Sequence, residues 1–361
     1  EALHDAGLRP DWFAGTSIGA INAAIIAGNA ERDRIDRLHA FWDQISGAGA
    51  AMAWPIDALA SAAAWMPPGN ALSTGLVAGS ALGSLTIGQQ GFFEPRPVSP
   101  LFFADGSAKA TSFYDTAPLK RTLEKLVDFD RINHGDVRLS VGAANVASGN
   151  VRYFDSAHET LRVEHIMASA ALPPAFPAIE IDGELWWDGG IVSNTPLDHV
   201  LAGKPRRDSL VFQVDLWSAR GSPPKNIMDV LERQKDIQFS SRTRYGTDAI
   251  AREQRLRNVL GLLIETLPGK TLAPALMAEL QPWLCDRIFN IIHLIYQAKS
   301  HEEQYKDYAF GAAAMREHWK GGLGDMRLTL DTPRFFAMPA RELGVVTHDI
   351  HRALAKANSD S

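Results

Sequence analysis

The 361-residue chain has a single cysteine, Cys285, which excludes an internal disulfide and permits a reducing compartment. It sits in an apolar stretch with no partner motif and reads as a buried structural thiol. Positive charge is also in short supply. With 36 Lys and Arg against 42 Asp and Glu, the formal net charge of -6 argues against general nucleic-acid binding, which needs a basic face. From Ala58 to Phe93 there is no Asp, Glu, Lys or Arg at all. Ser, Thr and Gly dilute that stretch and Pro67-Pro68-Gly69-Asn70 interrupts it, so it falls short of the about 20 predominantly apolar residues of a membrane-spanning helix. It is expected to be a cap or lid over a hydrophobic pocket, able to touch a lipid surface; the alternative is small-residue helices packed in the core. There is no clustered set of metal ligands, no internal repeat and no signal peptide. The opening Glu1 to Gly7 reads as the end of a helix with Gly7 in the stop position, and the chain is therefore expected to be truncated at its N-terminus.

What is present fits one large α/β domain with a substantial extension. Asp11 to Ala14 can form a short buried strand, Gly15 to Gly19 a tight turn, and Ala20 to Ala27 a small-residue helix ended by Gly28-Asn29. Leu119, Leu123 and Leu126 have helical spacing. Val137–Val141 and Val151–Phe154 bracket Ser148-Gly149-Asn150 as a hairpin, and Arg162–Ala171 reads as a short helix stopped by Pro173-Pro174. Ile179–Ile181, the turn Asp182-Gly183 and Leu185–Trp187 form a second hairpin that ends in Asp188-Gly189-Gly190. Ser209–Trp217 is a further strand. Beyond the boundary candidate Gly221-Ser222-Pro223-Pro224 the chain turns to charged amphipathic helices, clearest over Ile227–Arg244, Thr247–Leu267 and Ser300–Trp319. The expected organisation is 1–220 as a catalytic domain, with the cap near 58–93, and 221–361 as a mostly helical extension.

Gly15-Thr16-Ser17-Ile18-Gly19 fits Gly-x-Ser-x-Gly at a strand-to-helix turn. A serine there sits in a strained backbone conformation in which bulky neighbours would clash, and glycine on both sides relieves the crowding. The turn exposes the serine Oγ above the strand ends. It also aims the N-terminus of the next helix at the site, where free N–H groups favour an oxyanion. The structural alternative for the same five residues is a plain Gly-rich turn.

A serine hydroxyl needs a base. None of the 11 histidines stands in a recognisable catalytic loop. His293 reads as a core histidine in an apolar helix around Asn290–Leu294, while His348 and His351 belong to an expected surface helix. His199 is the least implausible imidazole. Asp188 is the better candidate, because it terminates a hairpin strand and precedes two glycines that allow close approach. Burial beside the Trp186-Trp187 pair would raise its pKa into a useful range. On its own motif, a turn-capping aspartate remains an equal reading.

Taken together, the two motifs resemble the patatin-like phospholipase family. Gly15–Gly19 precedes Asp188-Gly189-Gly190 by the right order, Ala168-Ser169-Ala170-Ala171-Leu172-Pro173-Pro174-Ala175-Phe176-Pro177 is similar to the family's Ala-Ser-x-Ala-x-Pro-x-x-Phe block, and Asp188 to Leu197 resembles its Asp-Gly-Gly-x-x-x-Asn-x-Pro run. The resemblance implies a three-layer α/β/α fold with a mainly parallel sheet and hydrolysis of lipid acyl esters by a Ser17–Asp188 dyad. It further implies elbow and oxyanion roles for Gly15, Ile18 and Gly19, and base-loop support from Gly189, Gly190 and Asn194. No cofactor or metal is expected. The expected partners are a lipid or other acyl ester and a possible membrane surface, with no nucleic acid, in a bacterial protein that is cytoplasmic or peripheral to the membrane. Acyl transfer by the same dyad and a catalytically silent lipid-binding protein are the alternatives, with an α/β-hydrolase triad of Ser17, Asp188 and a later histidine such as His199 as a further one. The family's glycine-rich oxyanion loop, expected just upstream of the helix ending near Gly7, has no counterpart in the sequence, so low activity is expected of this chain.

Overall fold

The computed structural model describes residues 1–47, 88–107, 109–193, 195–218, 221–267, 272–284, 287–296 and 311–351. They form an α/β protein whose helices are α1 (Ala2–Asp5), α2 (Ile18–Ala27), α3 (Arg34–Ile45), α4 (Ala117–Leu126), α5 (Phe129–His134), α6 (Val163–Ser169), α7 (Leu197–Ala202), α8 (Ile227–Thr266), α9 (Pro274–Leu280) and α10 (Ala312–Leu330). The strands are β1 (Trp12–Thr16), β2 (Glu94–Pro95), β3 (Tyr114–Asp115), β4 (Arg138–Asn145), β5 (Val151–Asp155), β6 (Ile179–Ile181), β7 (Glu184–Asp188), β8 (Ser209–Asp215), β9 (Phe289–Ile295) and β10 (Val345–Asp349). Two compact units emerge. One comprises Glu1–Pro196, Pro224–Glu232 and Ala298–Gly321; the other comprises Leu197–Pro223, Arg233–Gln297 and Gly322–Ser361.

The first unit is organised around β4, whose run of small and branched residues lets it be buried on both faces. β1 pairs with it in parallel; β5 and β7 pair with it antiparallel, and β6 pairs antiparallel with β7. Val141 lies between Gly15 of β1 and Phe154 of β5, whereas Ala143 lies between Asp188 of β7 and Arg152 of β5. β1 and β7 therefore share one edge of β4, running toward each other along it. β1 stops at Thr16 opposite Gly142, and β7 stops at Asp188 opposite Ala143, the next residue along.

Local sequence explains the surrounding helices. α2 is apolar nearly all round and is buried accordingly, with Ala20, Ile21, Ala24 and Ile25 inaccessible to solvent. Beyond its end, the Asn29 side chain donates to the carbonyls of Ile25 and Leu126 at 2.8 and 2.7 Å, tying α2 to α4. α4 opens with Pro118 in its first turn, and the Asp115 carboxylate accepts the Ala117 N–H. Its Leu119, Leu123 and Leu126 face the core, as their spacing predicts. Phe92 and Phe93, the end of the charge-free stretch, are core residues that pack on Phe176 rather than parts of a surface cap. The rest of the expected cap, up to residue 87, lies outside the described residues, as does Cys285.

The second unit holds an all-parallel sheet in the order β10-β9-β8. Here three expectations are corrected. Asn290–Leu294 is strand β9, not a helix: a central parallel strand is covered on both faces and reads as a continuous apolar run, which periodicity cannot tell from a buried helix. His348 likewise lies on β10, stacked on Phe335, not on a surface helix. α8 runs unbroken through Gly246, where two helices were expected to meet; one interior glycine costs about 1 kcal/mol and does not by itself stop a helix. The region after residue 220 is thus mainly helical, with two strands of this sheet.

Candidate active site

Ser17 follows directly on β1 and precedes the first residue of α2. Its backbone adopts φ 57° and ψ -128°, left-handed values that a non-glycine residue holds only under strain of about 1–3 kcal/mol. The two flanking glycines differ in purpose. A Cβ on Gly15 would lie 2.4 Å from the carbonyl of Gly19, so the turn closes only with glycine at 15. A Cβ on Gly19 would meet nothing within 4 Å among the described residues; crowding is relieved from one side only, contrary to the two-sided expectation. Ser17, Ile18 and Gly19 are half-buried and accessible. The Ser17 carbonyl accepts from Ala20, while no acceptor among the described residues takes the N–H groups of Ile18 and Gly19, which are left as donors at the helix start.

The elbow backbone is tied to the end of α6. The Ser17 N–H points at both the Oγ and the carbonyl oxygen of Ser169, each at 3.1 Å, and the Ser169 hydroxyl donates to the Gly142 carbonyl at 2.6 Å. Ser169 has no assigned role in the sequence reading; its only signal there is its place in the Ala168–Pro177 block.

Asp188 is 1% exposed at the end of β7. Its N–H donates to the Ala171 carbonyl at 3.0 Å, and its carboxylate accepts the Gly190 N–H at 2.7 Å. The Ser17 side chain lies near enough to that carboxylate to lower its pKa, so two sequence-predicted residues 171 positions apart come together where β1 and β7 end. Burial drives the Asp188 pKa up to about 6, against the smaller opposing effect of the Ser17 side chain and the Gly190 N–H. Gly189 is glycine for space, since a Cβ there would lie 2.6 Å from the Gly142 carbonyl oxygen.

Among the described residues no group of three or more His, Cys, Asp or Glu could hold a metal ion, and no helix is long and apolar enough to cross a membrane. Asn194 lies outside the described residues. His199 is on α7, in the second unit.

A family model described as patatin-like phospholipase matches residues 1–201, and another described as patatin phospholipase matches 237–342. No curated protein matches the chain. Among solved structures, the crystal structure of VipD from Legionella pneumophila is similar at 14% identity, covering 88% of this chain and 62% of that one, with a TM-score of 0.30. This chain thus spans less than two thirds of that relative, and so low a TM-score adds nothing to the argument. The first family model alone accounts for more than half of the sequence, elbow and Asp-Gly-Gly included, and the chain belongs to the patatin-like phospholipase family.

Proposed function

We propose that the chain is a serine acyl hydrolase that cleaves lipid carboxylic esters with Ser17 as nucleophile and Asp188 as base. The observation that carries this reading is the meeting of β1 and β7 end to end beside β4, which brings the Ser17 side chain to a buried carboxylate whose pKa is pushed up to about 6. A carboxylate of ordinary pKa is a feeble base for a hydroxyl; one raised by burial accepts a proton more readily and is still ionised at neutral pH.

On this reading the reaction has two halves. Ser17 Oγ attacks the ester carbonyl carbon while its proton passes to Asp188. The negative charge on the carbonyl oxygen is met by the free N–H groups of Ile18 and Gly19 at the start of α2. Collapse breaks the ester C–O bond, and the alcohol leaves with the proton held by Asp188. Asp188 then takes a proton from water, which attacks the acyl-enzyme and releases the fatty acid, returning the proton to Ser17 Oγ. The strained Ser17 backbone keeps Oγ at the strand end, clear of the helix it precedes.

The direct test is labelling with a fluorophosphonate probe followed by peptide mapping. The reading expects modification at Ser17 that disappears in Asp188→Asn. Labelling elsewhere, or labelling that persists unchanged without the Asp188 carboxylate, removes it. Release of free fatty acid from phospholipid vesicles by the same protein then tests the substrate class.

A further inference from the structure

We infer that Ser169 and Ala171, at the end of α6, clamp the two halves of the site together, with Ser169 as a positioning residue for the nucleophile. The inference rests on the Ser17–Asp188 reading and adds what sets their spacing. Ser17 follows β1 and Asp188 ends β7, strands that meet end to end beside β4 with no ladder pairing between them among the described residues to fix the gap. The segment after α6 spans that gap. Ser169 holds the Ser17 N–H through two oxygens at 3.1 Å, and two residues on, the Ala171 carbonyl holds the Asp188 N–H at 3.0 Å.

The Ser169 hydroxyl has one proton, and it goes to the Gly142 carbonyl at 2.6 Å, so toward Ser17 it can only accept. Gly142 is the β4 residue opposite Thr16 and precedes Ala143, which is opposite Asp188. One inaccessible side chain therefore links the nucleophile to the central strand, and the backbone carbonyl two residues on holds the base. Alanine at 169 would keep the carbonyl bond to Ser17 but lose both hydroxyl contacts. The elbow could then relax from its strained conformation, and the Ser17 hydroxyl would move away from the Asp188 carboxylate. Because the Ser17 side chain lowers the Asp188 pKa, its displacement is expected to move the pH dependence of the reaction as well.

The test uses the full chain with Ser169→Ala and the near-isosteric Ser169→Cys, assayed on a soluble short-chain ester and by fluorophosphonate labelling. Expected are a fall in kcat of about 10- to 100-fold with KM unchanged, a matching fall in labelling rate, and an acid limb displaced to higher pH. Activity within about twofold of wild type with the limb unmoved overturns the clamp; so does a loss of activity that tracks only the folded fraction. Should wild type show no turnover, hydrogen–deuterium exchange decides. The clamp expects faster exchange over 13–20 and 186–190 in Ser169→Ala with the β4–β5 hairpin unchanged; equal or uniformly raised exchange overturns it. Ser17→Ala and Asp188→Asn run alongside keep the two ideas separate. Activity in those variants ends the dyad, whereas inactive dyad variants beside a silent Ser169→Ala remove the clamp alone.

Discussion

Two buried aspartates stand on opposite edges of β4, and they are treated in opposite ways. Asp155, 2% exposed on β5, is held by the Arg138 guanidinium at 2.6 Å and by the Ser140 hydroxyl at 2.9 Å, while Arg138 lies over the Trp12 ring. Its charge is matched on the spot. Asp188, 1% exposed on β7, has no cationic partner among the described residues: its carboxylate accepts the Gly190 N–H at 2.7 Å and has the neutral Ser17 side chain beside it. Burial without a countercharge raises its pKa, and the carboxylate stays ready to take a proton. On the proposed reading, the strands beside β4 thus carry one carboxylate arranged for folding and one arranged for chemistry, and burial alone does not distinguish them. The partner does.

Exchanging each carboxylate for its amide sharpens that contrast. Asp188→Asn, like Ser17→Ala, is expected to lower kcat/KM by about 10,000-fold, whereas Asp155→Asn in its folded state keeps activity within a few-fold; steady-state ester hydrolysis measures both. Stability should move the other way. The folded-state pKa of Asp188 lies above its ordinary value, so ionising it costs the fold; that cost is absent below about pH 4 and fully present above about pH 6. Asp188→Asn should therefore gain up to about 3 kcal/mol at pH 8 and nothing at pH 4, while Asp155→Asn loses about 3 kcal/mol at pH 8 by stranding Arg138. Urea unfolding at the two pH values reads out each difference. If both exchanges destabilise at pH 8, the two aspartates are alike and the comparison breaks.

Next in size is the elbow itself. Gly15→Ala should cost about 2 kcal/mol through its clash with the Gly19 backbone and should abolish probe labelling, while Gly19→Ala leaves thermal stability unchanged and labelling within a few-fold. The smallest expected effect is on pH. Activity of the folded wild type should fall tenfold per unit below about pH 6 as Asp188 takes up its proton. An acid limb near the ordinary carboxylate pKa would mean that the group titrating in the assay is not a desolvated one.

The site was more legible in the sequence than its surroundings. Gly15, Ser17, Gly189 and Asp188 declare themselves because their constraints are local: a turn that admits no Cβ, and a strand end followed by glycines. The hairpins around Ser148–Asn150 and Asp182-Gly183 were readable for the same reason. β9 was not, since Asn290–Leu294 becomes a strand only through two parallel neighbours far off in the chain, and an apolar run of that length carries no mark of them. Ser169 was visible as part of a block but not as a contact, because its bonds run to Ser17 and Gly142, 152 and 27 positions away.

The meeting of β1 and β7 along one edge of β4 makes β4 a ruler. The gap between Ser17 and Asp188 is graduated in residues of that strand, from Gly142 to Ala143, and not in the 171 residues that separate them along the chain. Loops can lengthen or shorten between the two motifs without touching the reaction. Two residues inserted between Gly142 and Ala143 would keep every side chain on its proper face and still draw Ser17 and Asp188 apart by about 6–7 Å, a site intact in each half and unable to pass a proton.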